Sequence, residues 1–427
     1  MNHWKRLLCM ICVLALLIPA AGSALAEGGS FTPALDPGAS ASLLISGHYD
    51  NFEALEAEFA LFQKYYPNVK LRYEKIDDYN NNIGKALRLG EEAPDIFFTY
   101  PSMVGQERYE QVFAVAENLS DPALNLDLGC IRSHLLHQDE AGQVQMVPVY
   151  CETFGMLVNE DLFAKEGLKI PGTYAELLQA CDALKAAGCA NPVMGFNGSN
   201  FLLYPLFFPY FLAGIRGNEA AIADLNSMTP AAGEYMRPSL ELVADFMSRG
   251  YVDLDACNLL EKDYDPVIMR FFEGDVPMML AKAGTVSGTE KRESRSEAFV
   301  AHPFRYSFYP VPSTDEGGYL LDMVSMGFSV NKASASLDMA NEFMRFLVST
   351  EELNRMAKAK RMVTPCVDMS MDAIYAAFGG ITEGHMINLA ELGLQDAPDV
   401  QVRKAGWLVA NGQMTVDEAV AAFGTIE

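Results

Sequence analysis

From residue 42 onward, segments with a strand pattern alternate with segments with a helix pattern, and this alternation restricts the chain to an α/β fold. Residues 43–47, 69–73 and 95–98 have the apolar content of strands, whereas 52–66 and 79–89 place apolar residues at helical spacing. Strands that alternate with helices in this way are joined by right-handed crossovers. The sequence therefore predicts a mainly parallel sheet with helices on both faces.

A second informative segment runs from the turn at Gly142 through the apolar stretch 147–158. Glu152 is the lone carboxylate within that stretch. Because a charge in an apolar strand needs a partner, the pattern marks a special position on the strand. We interpret the stretch as an extended run that leaves one compact body and enters another.

The residues after this run carry a recognisable spacing: Asn159-Glu160-Asp161-Leu162-Phe163, Gly167-Leu168, Pro171, Thr173 and Glu176-Leu177. Together with the preceding strand, this block resembles the family 1 extracellular solute-binding proteins, the substrate receptors of ABC importers. Weaker similarities, in the family's order, occur at residues 66–71, 90–99, 269–280, 310–330, 340–349 and 414–426. The resemblance covers roughly residues 42–427.

The resemblance implies a type II periplasmic binding protein fold, in which two mixed-sheet α/β lobes are joined by a multi-strand hinge. It places residues 42–147 and 278–325 in lobe 1, and residues 148–277 and 326–427 in lobe 2. A small solute would be held between the lobes and released by hinge opening.

The N-terminus has the three parts of a cleaved secretory signal, so residues 1–26 are expected to be removed. Lys5-Arg6 precedes an apolar run over 7–18, and Ala24-Leu25-Ala26 follows it. No cysteine stands where a lipoprotein would carry one, which predicts a free periplasmic or released protein. Residues 27–41 are rich in Gly, Ser, Pro and Ala and predict a flexible leader.

Composition excludes several classes of function. The formal net charge of -25 opposes non-specific binding to nucleic acid or anionic lipid. No zinc or redox spacing is found among the cysteines and histidines, so no metal or cofactor is predicted. Of the six cysteines after residue 26, only Cys181 and Cys189 are close enough in sequence to suggest a disulfide, and buried free thiols are the alternative.

Candidate ligand contacts on the first lobe follow from the rule that parallel sheets bind ligands at the carboxyl ends of their strands. The loop after the first strand offers His48, Tyr49 and Asp50, and the loop after the third offers Tyr100 and Ser102. Aromatic faces cover sugar rings, and acids and amides bind hydroxyls. The alternatives are that Asp50 caps the following helix and that Tyr100 packs under Pro101.

Further candidates lie along the rest of the chain. The resemblance puts a ligand-binding acid at Glu152, which could instead pair with a cross-strand arginine. Asn197 and Tyr204 could contact a ligand or belong to the core; Lys282 could meet an anionic group or face solvent; Asp322 favours hydroxyls or a cation. After residue 26 the only tryptophan is Trp407, although sugar-binding relatives commonly use several.

These observations predict an exported receptor of an ABC importer that captures a small solute, most simply a sugar or oligosaccharide. The alternatives are a receptor for a sugar acid, acidic peptide or polyol, and a secreted carbohydrate-active hydrolase. The sequence carries no Gly-x-Ser-x-Gly, phosphate-loop or dinucleotide fingerprint, which favours a protein that is not an enzyme. The resemblance implies that it docks on a membrane permease, and we expect a monomer.

Overall fold

The computed structural model describes residues 31–139, 141–260 and 264–426. The predicted signal peptide lies outside these residues. The strands within them are β1 (Ala41–Gly47), β2 (Val69–Lys75), β3 (Ile96–Thr99), β4 (Val147–Glu152), β5 (Phe154–Asn159), β6 (Val193–Met194), β7 (Met278–Lys282), β8 (Tyr306–Tyr309), β9 (Pro312–Thr314), β10 (Gly317–Gly318), β11 (Leu320–Val330) and β12 (Met386–Asn388).

Helices surround these strands. They are α1 (Glu53–Phe62), α2 (Tyr79–Ala86), α3 (Glu110–Ala114), α4 (Glu160–Lys165), α5 (Tyr174–Ala186), α6 (Tyr204–Ile215), α7 (Glu219–Asn226), α8 (Arg237–Ser248), α9 (Leu254–Leu259), α10 (Tyr264–Phe271), α11 (Ala283–Val286), α12 (Thr289–Glu293), α13 (Glu297–Ala301), α14 (Leu337–Leu347), α15 (Thr350–Ala359), α16 (Leu389–Leu392), α17 (Asp396–Ala410) and α18 (Val416–Ala421). No helix in the described part of the chain is both long and apolar enough to cross a membrane.

The first lobe is built on a six-stranded sheet in the order β12-β11-β3-β1-β2, with β4 paired to β11. β1 pairs in parallel with β2 and β3, as the strand–helix alternation predicts. β11 runs antiparallel to β3 and β4, which makes the sheet mixed. Gly47 ends β1 where the ring of Phe98 crosses so closely that a Cβ would overlap it.

The second lobe is built on a four-stranded sheet in the order β6-β7-β5-β8. β5 lies between β7 and β8 and is antiparallel to both. A capping box between Thr173 and Glu176 starts α5, and Asn159 caps α4 by accepting the Leu162 N–H at 3.1 Å. The motif of residues 159–177 therefore codes the two helix starts that follow β5.

The division into lobes differs from the one expected from the sequence. Residues 278–309 supply β7 and β8 to the second sheet, and residues 320–330 supply β11 to the first sheet. α14 and α15 also pack against α1, so the first lobe continues beyond residue 326. The expected boundaries of 278–325 for lobe 1 and 326–427 for lobe 2 were wrong, because a buried apolar strand carries no local signal of which sheet it joins.

The leader expected to be flexible is attached to the first lobe over its described residues. The ring of Phe31 contacts Tyr65 and Phe346 at centroid distances of 5.2 and 5.4 Å. The Ala34 N–H donates to the Glu342 carboxylate at 2.8 Å. Phe31 and the Ala34 N–H therefore attach this segment to the first lobe, which its Gly, Ser and Pro content did not predict.

All six described cysteines are free thiols, including Cys181 and Cys189. Cys181 is fully enclosed on the inner face of α5, whereas Cys189 lies beyond the end of that helix and is half-buried. The suggested disulfide between Cys181 and Cys189 is therefore not formed, and the alternative of free thiols is the one that the structure shows.

Candidate functional site

The polypeptide passes between the two sheets at several points, and these passages locate the cleft. β4 ends at Glu152 and β5 begins at Phe154, so Thr153 alone separates a strand of the first lobe from one of the second. Another passage lies in residues 310–319, which connect β8 of the second sheet to β11 of the first and include the short β9–β10 hairpin. The predicted transfer of the 147–158 run from one body to another is confirmed.

Glu152 lies at the first of these passages and joins the lobes. Its carboxylate accepts the Gly284 N–H at 2.9 Å at the start of α11, and Lys282 Nζ is 3.8 Å away. Burial raises the pKa of Glu152, and Lys282 and the Gly284 amide oppose that rise. The carboxylate thus bonds to the second lobe through Gly284 and Lys282, although its own strand belongs to the first.

On the first lobe, the loop after β1 and the loop after β3 form one aromatic wall. His48 Nδ1 hydrogen-bonds to the Tyr100 hydroxyl, and the His48 and Tyr49 rings are 4.1 Å apart between centroids. Burial, followed by the nearby Glu152, raises the pKa of Tyr49. Three of the predicted contacts are therefore brought together in one wall, and Tyr49 lies within electrostatic range of Glu152.

Desolvation by the surrounding wall, followed by the charges of Lys360 and Lys75, lowers the pKa of His48 to about 4. His48 is itself solvent-exposed, so the two lysines are the firmer cause. The imidazole is consequently neutral at physiological pH, and it offers the cleft a hydrogen bond without a charge.

Direct contacts close the cleft on one side. Lys291 of α12 in the second lobe pairs with Glu53 at the start of α1 at 2.8 Å. Arg361, just beyond α15, donates to Glu293 of α12 at 2.9 Å. The lobes therefore touch near the hinge through ion pairs, which can separate in water at small cost.

On the second lobe, the ring of Phe201 lies among cations. Lys282 Nζ is 5.5 Å and Arg403 Cζ is 5.6 Å from the ring centroid. Both distances are within the range of cation–π attraction. The Phe201 ring therefore lies next to Lys282.

Asn197 and Tyr204 are buried in the interior of the second lobe. The Asn197 side chain hydrogen-bonds to Asn258 and accepts the Trp407 indole N–H at 2.8 Å. The Tyr204 hydroxyl donates to Asp399 at 2.6 Å, and its ring stacks on Phe208 at 4.4 Å. These contacts describe packing, so Asn197 and Tyr204 fit the core alternative.

Asp322 is fully enclosed in the first lobe. Arg132 donates to both of its carboxylate oxygens, at 2.5 and 2.7 Å, and His134 Nε2 lies 2.7 Å from one of them. Its side chain has no exposed area. Asp322 was expected to bind ligand hydroxyls or a cation, but its hydrogen-bond partners are Arg132 and His134 of the same lobe.

Asp50 and Ser102 lie at the exposed rim. Asp50 pairs with Lys75 at 2.8 Å, and no side-chain hydrogen bond caps α1. Ser102 is exposed in the turn after β3, where its carbonyl accepts from Gln106.

Sequence reasoning missed Lys360, whose Nζ lies 4.6 Å from the centre of the Tyr49 ring. It also missed Arg361, which adopts a left-handed backbone with φ of 47°. The pair follows an ordinary amphipathic helix, and nothing in the local pattern separates these two cations from solvated ones. Only the long-range fold brings them to the cleft.

The geometry defines a class of protein: two α/β lobes, joined by short passages, with polar and aromatic side chains gathered where they meet. A model of the family described as "Bacterial extracellular solute-binding protein" matches residues 46–353. That range is most of the chain, so the chain belongs to the bacterial extracellular solute-binding protein family, as its motifs predict.

Solved structures with the same fold agree. The apo form of RafE from Streptococcus pneumoniae has a TM-score of 0.69 at 18% identity, over 91% of this chain and 98% of that one. The GacH receptor of Streptomyces glaucescens gives 0.66 at 16% identity, over 90% and 97%. A sugar transporter of Bacillus licheniformis in complex with stachyose gives 0.61 at 17% identity, over 91% and 100%. A search of curated proteins finds no match.

Proposed function

We propose that this protein is the exported, monomeric receptor of an ABC importer, and that it captures a sugar or oligosaccharide between its lobes. The observation that carries the proposal is the contact of His48 with both Tyr49 and Tyr100 in one aromatic wall, with Tyr49 within electrostatic range of Glu152 at the passage from β4 to β5. Aromatic faces suit the apolar face of a sugar ring, and a carboxylate suits its hydroxyls.

The solved relatives support this choice of solute. RafE is known in complex with raffinose, GacH with acarbose, and a further structure is a chitin oligosaccharide binding protein with a TM-score of 0.65 at 17% identity. At these identities the fold is shared and the solute is not fixed. A carbohydrate is nevertheless the solute class common to these structures.

Capture would proceed by hinge closure. Thr153 lies between strands of different lobes, and residues 310–319 connect β8 of the second lobe to β11 of the first, so small backbone rotations there would move one lobe relative to the other. A solute that contacts both walls binds the closed form more tightly and shifts the population toward it. The closed protein would then dock on a membrane permease.

Loss of the aromatic wall should weaken solute binding. Tyr49→Ala and Tyr100→Ala each remove a ring from the wall, and an aromatic contact contributes about 0.5–1.5 kcal/mol beyond its buried area. We expect affinity for the best-binding sugar to fall by roughly tenfold in each variant. The measurement is titration calorimetry, after a melting-temperature screen with raffinose, stachyose, acarbose, chitin oligosaccharides, polyols and peptides.

Tyr235→Ala is the matched control, because Tyr235 is half-buried on the second lobe, with its hydroxyl 3.1 Å from Asp224. It should leave affinity unchanged. The proposal is wrong if no carbohydrate raises the melting temperature while a peptide does. Chromatography of the incubated sugar tests the hydrolase alternative, because a receptor is stabilised by its ligand and yields no product.

A further inference from the structure

Lys360 occupies an unusual position between the lobes. It follows α15, and its Nζ lies 4.6 Å from the Tyr49 ring centroid and 5.8 Å from that of Phe52. The side chain is half-buried. The ammonium therefore shares the wall on which Tyr49 and His48 lie.

Both lobes contribute charges around this ammonium. Glu53 of the first lobe, and Lys291 and Arg292 of the second, all act on it electrostatically. Burial and the two second-lobe cations lower the pKa of Lys360, and Glu53 only partly offsets them. The net surroundings of Lys360 are thus cationic.

The nearby carboxylates are committed to other partners. Glu53 pairs with Lys291 at 2.8 Å, and Asp265 pairs with Arg292 at 2.9 Å. Among residues 31–139, 141–260 and 264–426, no carboxylate lies within 4.0 Å of Lys360 Nζ; its close contacts are the two aromatic rings. His48 is neutral at physiological pH and supplies no negative charge.

An ammonium in this setting is costly to the unliganded protein. Partial removal from water disfavours the charge unless an anion accompanies it. The chain has 56 acidic and 31 basic residues. Acidic side chains are therefore plentiful, and the absence of one beside Lys360 does not follow from the composition. A negatively charged group on the solute would complete the arrangement with a charge-assisted hydrogen bond.

We propose that the preferred solute is a sugar acid, whose carboxylate binds Lys360 while its ring lies against the Tyr49 and Tyr100 wall. Lys291 and Arg292 already pair with Glu53 and Asp265, so Lys360 is the ammonium left to receive the carboxylate. This inference rests on the proposed function as a sugar receptor, and it specifies the chemistry of the sugar that the site selects.

The test compares matched sugars on the full protein. Galacturonate is paired with galactose, glucuronate with glucose, and digalacturonate with galactobiose; glucose 6-phosphate and inorganic phosphate are the other anionic arms. We expect the acidic member of at least one pair to bind tenfold or more tightly than the neutral member. That preference should shrink between 20 mM and 500 mM NaCl, because salt screens partly exposed charges.

Lys360→Met should abolish the preference, so that the affinities of the acidic and the neutral member of each pair come to within about twofold of each other. Lys358→Met is the matched control: Lys358 is an exposed residue of the same segment, bonded to Ser370 at 2.8 Å, and its loss should change nothing. The melting temperature without ligand verifies that each variant folds.

Each remaining outcome is decisive. Binding of neutral sugars with no gain from the acid overturns the inference and leaves the receptor function standing. An acid preference that survives Lys360→Met overturns the assignment to Lys360, and tight binding of phosphate esters alone overturns the carboxylate. If only non-carbohydrates bind, both this inference and the proposed function fail.

Discussion

Replacement of Asp322 by alanine is expected to lower the free energy of unfolding by about 3–5 kcal/mol. The change would leave the Arg132 guanidinium buried without a carboxylate, bonded to the carbonyls of Thr364 and Cys366 at 2.9 and 2.6 Å and to the Cys151 sulfur at 3.5 Å. Removal of one member of a buried ion pair is costly because the other charge stays desolvated. Urea denaturation of the unliganded protein, followed by tryptophan fluorescence and circular dichroism, measures the loss.

Two controls separate this explanation from a general sensitivity to lost acids. Asp50→Ala removes a fully exposed partner of Lys75 and should leave the unfolding midpoint unchanged. The double change Arg132→Met with Asp322→Leu removes both charges and should cost less than Asp322→Ala alone. Equal losses in the single and double variants would contradict the account.

The same carboxylate predicts an acid dependence. Burial opposes ionisation of Asp322, but hydrogen bonds from His134 and Arg132 outweigh it and hold its pKa below the ordinary 3.8. A depressed folded-state pKa gives stability that is present above the ordinary value and is lost as the pH falls through the folded value. The difference between wild type and Asp322→Ala should therefore be constant from pH 5 to 7 and should narrow below pH 3.8.

Local patterns in the sequence were sufficient for the elements that begin the chain. The strands near residues 43, 69 and 96 occur with the predicted parallel pairing, since alternation and Pro or Gly punctuation are local signals. The helix expected over 52–66 ends at Phe62, because residues 63–65 form a turn before Pro67. Element type was predictable, and element ends were less so.

Partners far apart in the chain were beyond local reasoning. Asp322 lies on an apolar strand, where an acid can equally face a ligand or a buried arginine, and Arg132 has no sequence relation to it. Lys360 and Tyr49 meet only because α15 packs on α1. The assignment of β7 and β11 to opposite lobes has the same cause: strand pairing is a tertiary choice.

Glu152→Gln is expected to separate stability from solute binding. Burial raises the pKa of Glu152 above the ordinary 4.5, so the ionised form is a net cost to the unliganded protein at neutral pH. Glutamine keeps an acceptor for the Gly284 N–H and removes the charge. Its melting temperature, measured by calorimetry without ligand, should equal or exceed that of wild type at pH 7.

The sign of the pH dependence follows from the raised value. A carboxyl with a raised folded-state pKa binds more protons folded than unfolded, so its contribution falls as pH rises through the folded value. The melting temperature of the wild type should therefore rise relative to that of Glu152→Gln as the pH is lowered toward 4.5. If the melting temperature of Glu152→Gln instead rises relative to that of the wild type as the pH is lowered, the burial of an ionised Glu152 is contradicted.

Solute affinity should move in the opposite direction. A hydrogen bond from a sugar hydroxyl to a carboxylate contributes about 1.5–3 kcal/mol, so Glu152→Gln should weaken the best-binding sugar by roughly 10–100-fold in titration calorimetry. Glu152→Ala should lose that affinity and also about 1–3 kcal/mol of stability, because the Gly284 amide at the start of α11 then has no acceptor. If Glu152→Ala and Glu152→Gln lower the melting temperature equally, the charge of Glu152, rather than its hydrogen bond to the Gly284 N–H, stabilises the contact between the lobes.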